Sequence, residues 1–290
     1  MMKIGLSVTN ASIEAGILPV MQEIGYTAVD YSLQADYETP HPVFAESRDV
    51  WTAFYEERKK LFASYGLTVT QTHATFSTDF DVLGEVTDKI IAQYEKEIEA
   101  TAIMGAKLIV IHPICLPVAT IQKEKERALN LKLYRSLIPA LQKFGVKVGV
   151  ENMYGHDYVR MRYCPTAANS TPEDLNYYLD QLGTDCFTVC VDTGHANMIN
   201  VTPDTYVRAL GNRLGMLHVN DNNGIRDEHN APYMGNIDWT EFMKALKETG
   251  YDGSFSIEQA TSKFLGKQKG VGVAYLRYTY NVAKSLLGEM

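Results

Sequence analysis

The sequence predicts an α/β protein folded as a single (β/α)8 TIM barrel over residues 1–290. Short β-rich runs alternate with longer amphipathic segments, as expected of a parallel sheet in which a helix follows each strand. Eight runs of each kind can be counted, which is the number that closes such a barrel. The chain length of 290 residues is also ordinary for one barrel of this kind.

The first four units each pair a strand with a helix that ends near a glycine. Written as strand and then helix, they cover 3–8 and 13–24, 28–33 and 47–65, 68–74 and 86–105, and 107–113 and 121–144. The helical segments carry apolar residues at three- and four-residue spacing, the period of a helix with one buried face. Gly25, Gly66, Gly105 and Gly145 stand where these helices should end, and a helix commonly ends in a left-handed residue.

The last four units repeat this order. They cover 147–153 and 171–182, 187–192 and 203–211, 214–220 and 238–249, and 253–259 and 270–287. Thr171 and Pro172 combine a hydroxyl residue that can cap a helix with a proline suited to its first turn. The connections 34–46 and 154–170 follow strands and are long, and long loops on that face of a barrel commonly build a lid or a substrate wall.

Composition is typical of a soluble globular protein and argues against two classes of partner. The sequence is 46% hydrophobic and 21% charged and has no apolar run long enough to span a bilayer. Its net charge of −8 is spread along the chain, whereas a nucleic-acid surface usually needs a basic face. The start MMKIGLSV enters a strand without the pattern of an export signal. We therefore expect a cytoplasmic protein with reduced cysteines and no membrane or nucleic-acid partner, and a homo-oligomer stays open.

Candidate functional residues gather where the predicted strands end, most densely in LGMLHVNDNNGIRDEH at 214–229. There His218 closes a short apolar run and opens a loop rich in Asn, Asp and Gly. Glu151, Asp192 and Glu258 close three other runs in the same way. The carboxyl ends of parallel strands meet at one face of a barrel, so we expect these side chains to converge.

These four residues predict a site for one divalent metal ion. Three carboxylates and an imidazole form an oxygen-rich ligand set that favours Mn²⁺, with Mg²⁺, Co²⁺ and Zn²⁺ as alternatives. Each residue alone has a simpler interpretation: a buried acid paired with lysine for Glu151 or Glu258, a cap for Asp192, and a satisfied core histidine for His218. Their coincidence at equivalent strand ends favours the metal site.

Further polar residues point to the same face and are candidates for substrate binding. They are His73, His112 and His195, at or just beyond strand ends, and Arg226, Asp227 and His229, in the loop after the seventh strand. The three loop residues could hold substrate oxygens, bind another ion, or form a loop-stabilising ion pair.

Together these residues carry a family resemblance. The segment HVNDNNGIRDEHNAPYMGNIDW, with Glu151 after VGV, the run Asp192-Thr193-Gly194-His195 and Glu258 after SI, resembles the sugar phosphate isomerase/epimerase superfamily of xylose isomerase-like TIM barrels over nearly the whole chain. In the ketose 3-epimerases of that group, two glutamates, an aspartate and a histidine bind one Mn²⁺, and the glutamates are also the catalytic acid/base pair. The resemblance implies these roles for Glu151, Asp192, His218 and Glu258.

Two positions depart from the pattern of the ketose 3-epimerases. Those enzymes have a substrate-binding arginine six residues after the metal histidine, whereas Gly224 stands here and Arg226 is the nearest arginine. They also carry a glutamate six residues after the first metal glutamate, where this chain has Asp157, a shorter acid and a further candidate for substrate binding. A ketohexose substrate therefore does not follow from the resemblance.

The function we expect first is isomerisation or epimerisation of a small sugar, sugar phosphate or polyol ketone. A divalent ion bound to the substrate oxygens would stabilise the enediolate that forms when a proton leaves the carbon next to the carbonyl. Glu151 and Glu258 could flank this flat intermediate, one abstracting and the other returning a proton. Return to the opposite face would give epimerisation, and transfer between carbons would give aldose–ketose isomerisation.

Two other enzymatic functions stay open because the superfamily contains them. One is an inosose-type dehydratase, which uses the same enolate chemistry. The other is a zinc phosphodiesterase, because the nine ligands of endonuclease IV are matched in residue type by His73, His112, Glu151, Asp192, His195, His218, Asp227, His229 and Glu258. The acidic net charge argues against the second, since a DNA-repair enzyme must neutralise several phosphates. A barrel that only binds ligand is the remaining class.

Overall fold

Eight parallel strands form the wall of a barrel, and the predicted (β/α)8 fold is confirmed. This computed structural model describes residues 2–35, 39–76, 86–116, 122–157, 162–258 and 269–288. The strands are β1 (Ile4–Val8), β2 (Ala28–Ser32), β3 (Thr68–His73), β4 (Leu108–Val110), β5 (Lys147–Glu151), β6 (Gly155–Asp157), β7 (Arg162–Cys164), β8 (Phe187–Asp192), β9 (Leu214–His218) and β10 (Phe255–Ile257). Of these, β6 and β7 pair with each other in an antiparallel hairpin outside the barrel sheet.

Helices lie between the barrel strands and pack on the outside of the sheet. They are α1 (Asn10–Glu14), α2 (Ile17–Ile24), α3 (Arg48–Ser64), α4 (Asp88–Met104), α5 (Lys123–Phe144), α6 (Pro172–Leu182), α7 (Thr193–Met198), α8 (Pro203–Leu210), α9 (Trp239–Thr249) and α10 (Lys269–Gly288). Among these described helices, none has both the length and the apolar character needed to cross a bilayer. Helix α1, helix α7 and the β6–β7 hairpin were not predicted, because such short segments carry too little periodicity to be recognised.

The sheet runs in chain order from β10 through β1 to β9. Within the described residues, β9 and β10 meet only at one bridge, between Val219 and Ile257. The Val219 amide donates to the Ser256 carbonyl at 2.8 Å, and the Glu258 amide donates to the Val219 carbonyl at 3.0 Å. This short junction closes the barrel directly beside two of the candidate metal ligands, His218 and Glu258.

Apolar side chains fill the inside of the barrel below the functional face. Val110, Cys190 and Met216 form a small fully buried cluster contributed by three strands. Gly149 faces this cluster, and a Cβ at that position would overlap with the Met216 sulfur. The glycine in the VGVE segment therefore lets Met216 pack across the barrel toward β5.

Glu97 of α4 is a fully buried carboxylate that supports the chain just after β3. It accepts hydrogen bonds from the Thr75 amide at 3.1 Å, the Thr75 hydroxyl at 2.6 Å and the Gln93 carboxamide at 2.9 Å. Burial raises the pKa of Glu97 to about 7, although these hydrogen bonds act in the opposite direction. The folded protein thus holds this proton more tightly than the unfolded chain does.

We expect Glu97→Gln to gain stability relative to the wild type as the pH rises. The stabilising contribution of a carboxyl group with a raised pKa is complete below its ordinary value of 4.5 and is lost as the pH rises through about 7. The neutral amide has no such loss. Urea unfolding of both proteins at several pH values measures the difference, and a difference in unfolding free energy that is independent of pH would contradict the raised pKa.

Candidate metal and substrate site

A cavity of about 600 Å³ opens at the carboxyl ends of the barrel strands. Predicted site residues that line it are His73, His112, Glu151, His195, Asp227, His229 and Glu258. Asp192 and His218 are fully buried at the same end of the sheet. A second cavity, of about 690 Å³, lies between residues 39–45 and the first half of α4, and Phe76 borders both. The predicted metal ligands therefore lie at the first cavity and not at the second.

The four predicted metal ligands converge. Ligand-type atoms of Glu151, Asp192, His218 and Glu258 all lie within 4.8 Å of one another. His218 Nδ1 is 3.0 Å from Glu151 Oε1 and 3.3 Å from Glu258 Oε2. Among the described residues, Glu258 Oε2 is buried without a hydrogen-bond partner. A buried carboxylate oxygen in that state is costly unless a cation compensates it, so the donor set fits a divalent ion.

Asp192 caps a helix, which is one of the roles that the sequence offered for it. It is the N-cap of α7, where its Oδ1 accepts a hydrogen bond from the His195 amide at 2.6 Å. Its Oδ2 accepts a hydrogen bond from the Asn220 carboxamide at 2.6 Å. The capping interpretation is therefore confirmed, and the same contacts hold the carboxylate in the quartet.

Two asparagines that sequence analysis missed fix the ends of neighbouring strands. The Asn152 carboxamide donates to the Asp192 carbonyl at 2.9 Å and accepts from the Asp192 amide at 2.7 Å. Asn220 orients the Asp192 side chain, and a Cβ at Gly194 would overlap with the Asn220 carboxamide. In the sequence, Asn152 follows Glu151 by one position and Asn220 follows His218 by two. An asparagine at such a position is interpreted as a loop residue as long as its partner strand is unknown.

Four histidines surround Glu151. From its carboxylate, His112 Nε2 lies 2.7 Å away, His218 Nδ1 3.0 Å, His195 Nδ1 3.6 Å and His73 Nε2 3.9 Å. Burial acts to raise the pKa of Glu151, but the His218 and His112 imidazoles outweigh it and hold the pKa well below its usual range. Glu151 is therefore an ionised carboxylate at neutral pH, the form that a base or a metal ligand requires.

Burial favours the uncharged form of two neighbouring groups, His112 and Asp192. It lowers the pKa of His112 to about 4 and raises the pKa of Asp192 to about 7. In the metal-free protein the buried carboxylates are therefore not equivalent, and His112 is neutral at physiological pH. A neutral imidazole can serve either as a ligand or as a hydrogen-bond partner.

Two further clusters adjoin the quartet. In one, His73 Nε2 lies 3.0 Å from His112 Nε2, and both face Glu151 Oε2. In the other, Asp227 lies 3.4 Å from His195 Nε2 through one oxygen and 3.4 Å from His229 Nε2 through the other. Seven of the nine residues matched to the pattern of endonuclease IV thus line one cavity, and the other two, Asp192 and His218, lie buried at the same end of the sheet.

Two of the predicted substrate-binding residues, Arg226 and Asp157, are not placed at the cavity by the described residues. Arg226 is exposed in the loop after β9 and is not among the described residues that line the cavity. Asp157 ends β6, but its side chain lies outside the described part of the chain. Substrate binding by these two residues stays a prediction. Each of the two long loops contributes to the wall, through Gln34 and Tyr154, and the Tyr154 ring packs against His195 with 5.1 Å between centroids.

Sequence analysis also missed Asp30 and Phe76. Asp30 lies inside the buried strand β2. An acidic residue within an otherwise apolar strand was the feature of the sequence that could have identified it. Its Oδ2 is 3.0 Å from His218 Nε2. The Phe76 ring lies edge-on to His112, with 3.8 Å between centroids, and forms part of the cavity wall.

Comparison with known proteins points to one family over most of the chain. The family model of the xylose isomerase-like TIM barrel matches residues 18–277. An uncharacterized protein of Methanocaldococcus jannaschii is 31% identical over 183 residues, which cover 62% of this chain and 59% of that protein. The D-psicose 3-epimerase of Enterocloster bolteae is 26% identical over 156 residues, which cover 54% of this chain and 47% of the epimerase. The matches thus span about half to three fifths of these relatives.

The overall architecture also recurs in solved structures. A D-psicose 3-epimerase from Clostridium cellulolyticum superposes with a TM-score of 0.75 and covers 99% of both chains. Its sequence identity to this chain is 17%, so the likeness is one of fold.

Proposed function

The chain belongs to the xylose isomerase-like TIM barrel family, and on that basis we propose that it isomerises or epimerises a small sugar or polyol ketone with the help of one divalent metal ion. The observation that carries the proposal is the convergence of four ligand atoms within 4.8 Å beside an open cavity. The similarity to a D-psicose 3-epimerase supports the same class of reaction.

Glu151, Asp192, His218 and Glu258 would hold the ion, with Mn²⁺ the first candidate for this oxygen-rich set. When bound, the ion would supply Lewis-acid stabilisation of negative charge on neighbouring substrate oxygens. Glu258 Oε2, which has no hydrogen-bond partner among the described residues, and the ionised Glu151 support a cation at this position.

Glu151 and Glu258 are the proposed acid/base pair. They come from β5 and the end of β10, with β8 and β9 between them in the sheet, so they approach the site from different sides. One carboxylate would take the proton from the carbon next to the carbonyl, and the other would return a proton. The imidazoles of His73, His112, His195 and His229, together with Asp227, would bind substrate hydroxyls along the wall.

A neutral substrate fits this cavity better than a phosphate ester. Asp30, Glu151, Asp227 and Glu258 line it, and their carboxylates repel a phosphate dianion. The aromatic rings of Phe76 and Tyr154 offer apolar surfaces of the kind on which a sugar ring can rest. We therefore favour an unphosphorylated ketose or inosose as the substrate.

A second candidate function is a zinc phosphodiesterase, and one specific observation favours it. The His73–His112 and His195–Asp227–His229 clusters adjoin the quartet at Glu151, and they could bind two more ions. Asp227 Oδ1 and His229 Nε2 are buried without hydrogen-bond partners among the described residues. The net charge of −8 opposes a polyanionic substrate.

Metal analysis of the purified protein separates the two candidates. We expect about one equivalent of Mn²⁺ and conversion of a ketose or inosose, whereas close to three equivalents of zinc with cleavage of DNA would favour the phosphodiesterase. The matched control is His229→Ala, which removes a residue outside the quartet. It should keep the single ion, and loss of a second and third equivalent in that variant would contradict the one-metal site.

A further inference from the structure

Asp30 connects β2 to the proposed metal histidine across the inside of the barrel. His218 Nε2 lies 3.0 Å from Asp30 Oδ2, and Asp30 is 2% exposed. The other ring nitrogen, Nδ1, faces Glu151 Oε1 and Glu258 Oε2 at 3.0 Å and 3.3 Å. The two nitrogens of one ring thus point to different partners, one to β2 and one to the carboxylates of the quartet.

Gln71 fixes Asp30 in turn. The Gln71 carboxamide donates to Asp30 Oδ2 at 2.8 Å and to the Leu217 carbonyl at 3.3 Å. Leu217 immediately precedes His218, so Gln71 of β3 links the carboxylate to the backbone beside the histidine that it supports. Gln71 is 1% exposed, and this chain of contacts is shielded from water. Buried hydrogen bonds of this kind hold side chains in one arrangement.

We propose that Asp30 is a positioning residue that sets the ring orientation of His218 for metal binding. A carboxylate can only accept a hydrogen bond, so Asp30 holds a proton on Nε2, and Nδ1, which faces Glu151 and Glu258, is the nitrogen that would bind the ion. The nearly parallel ring of His73 lies 5.6 Å away between centroids. The inference rests on the proposed metal site.

The test compares Asp30→Ala and Asp30→Asn with the wild type by titrating metal-free full-length protein with Mn²⁺. Loss of a carboxylate partner of a metal histidine typically weakens metal binding by about 10- to 100-fold, and we expect that loss for Asp30→Ala. Asp30→Asn should lose less, because its amide oxygen still accepts from Nε2. If Asp30→Ala does not fold, Asp30→Asn carries the test with an expected loss of about 10-fold.

A second measurement reports on the ring itself. In metal-free protein labelled with ¹⁵N-histidine, the Nε2 proton of His218 should exchange slowly and resonate at low field, and both Asp30 variants should change that signal. Asp174→Asn is the matched control, because Asp174 is an equally buried acid that pairs with Lys123 and Arg127 at 2.7 Å and 2.8 Å. It should lose stability but keep both the signal and the Mn²⁺ affinity.

Folded Asp30 variants that bind Mn²⁺ within about twofold of the wild type would overturn the inference, since a substrate contact or a purely structural role predicts that result. A weakening matched by Asp174→Asn would overturn it as well. A wild-type protein that binds no divalent ion would instead refute the proposed function. The Nε2 signal would then still decide whether Asp30 orients His218.

Discussion

Replacing Glu151 or Glu258 with glutamine is expected to reduce turnover by about two orders of magnitude or more while part of the metal binding survives. Glutamine keeps an oxygen that can face the ion, but it cannot take up or return a proton. The loss of turnover should be clearest for Glu151, because its neighbouring imidazoles keep its carboxylate ionised. Turnover with an identified ketose or inosose and the metal content of each variant are the quantities to measure.

The two variants should also fail in different ways. If each glutamate serves one side of the intermediate, exchange of solvent deuterium into the substrate carbon should persist in one variant without net turnover. Exchange at that carbon needs only the remaining carboxylate. Normal turnover in either variant would remove that glutamate from the acid/base pair.

Asp192→Asn and His218→Ala are expected to lose both bound metal and activity while the barrel stays folded. The two residues offer ligand-type atoms at the functional face rather than apolar surface in the core. Asparagine is also a good N-cap, so Asp192→Asn should preserve the start of α7 and isolate the effect of charge. Metal analysis and far-ultraviolet circular dichroism together test this expectation.

The matched control for these two variants is His41→Ala. His41 lies outside the quartet and stacks on Phe54 with 4.8 Å between ring centroids. Its loss should leave the metal content at the wild-type level. Full metal occupancy in both Asp192→Asn and His218→Ala would refute the assignment of the ligands.

Local pattern was enough to predict the barrel and the convergence of the quartet. The barrel follows from alternating strand and helix periods, which are properties of each segment on its own. The quartet follows from position, because Glu151, Asp192 and His218 end their strands and Glu258 comes directly after β10. Parallel strands in chain order then bring those ends together, with no need to know any individual contact.

The supporting residues could not be predicted because their roles depend on partners distant in the chain. Asp30 and His218 are separated by 188 positions, and their contact exists only once the barrel has closed. Asn152 and Asn220 resemble ordinary loop residues until β5, β8 and β9 lie side by side. For Asp157 and Arg226 the difficulty is different. The residue type or the spacing differs from the family pattern at these positions, so the pattern does not fix where their side chains point.

The junction between β9 and β10 couples the proposed metal site to the closure of the barrel. Val219 and Ile257 provide the one bridge seen there in the described chain, and His218 and Glu258 stand on its two sides. An ion shared by those two side chains would link the end of β9 to the end of β10 across this single bridge. By mass action, binding that requires the closed form also stabilises it, so metal affinity and resistance to opening at this edge would rise and fall together.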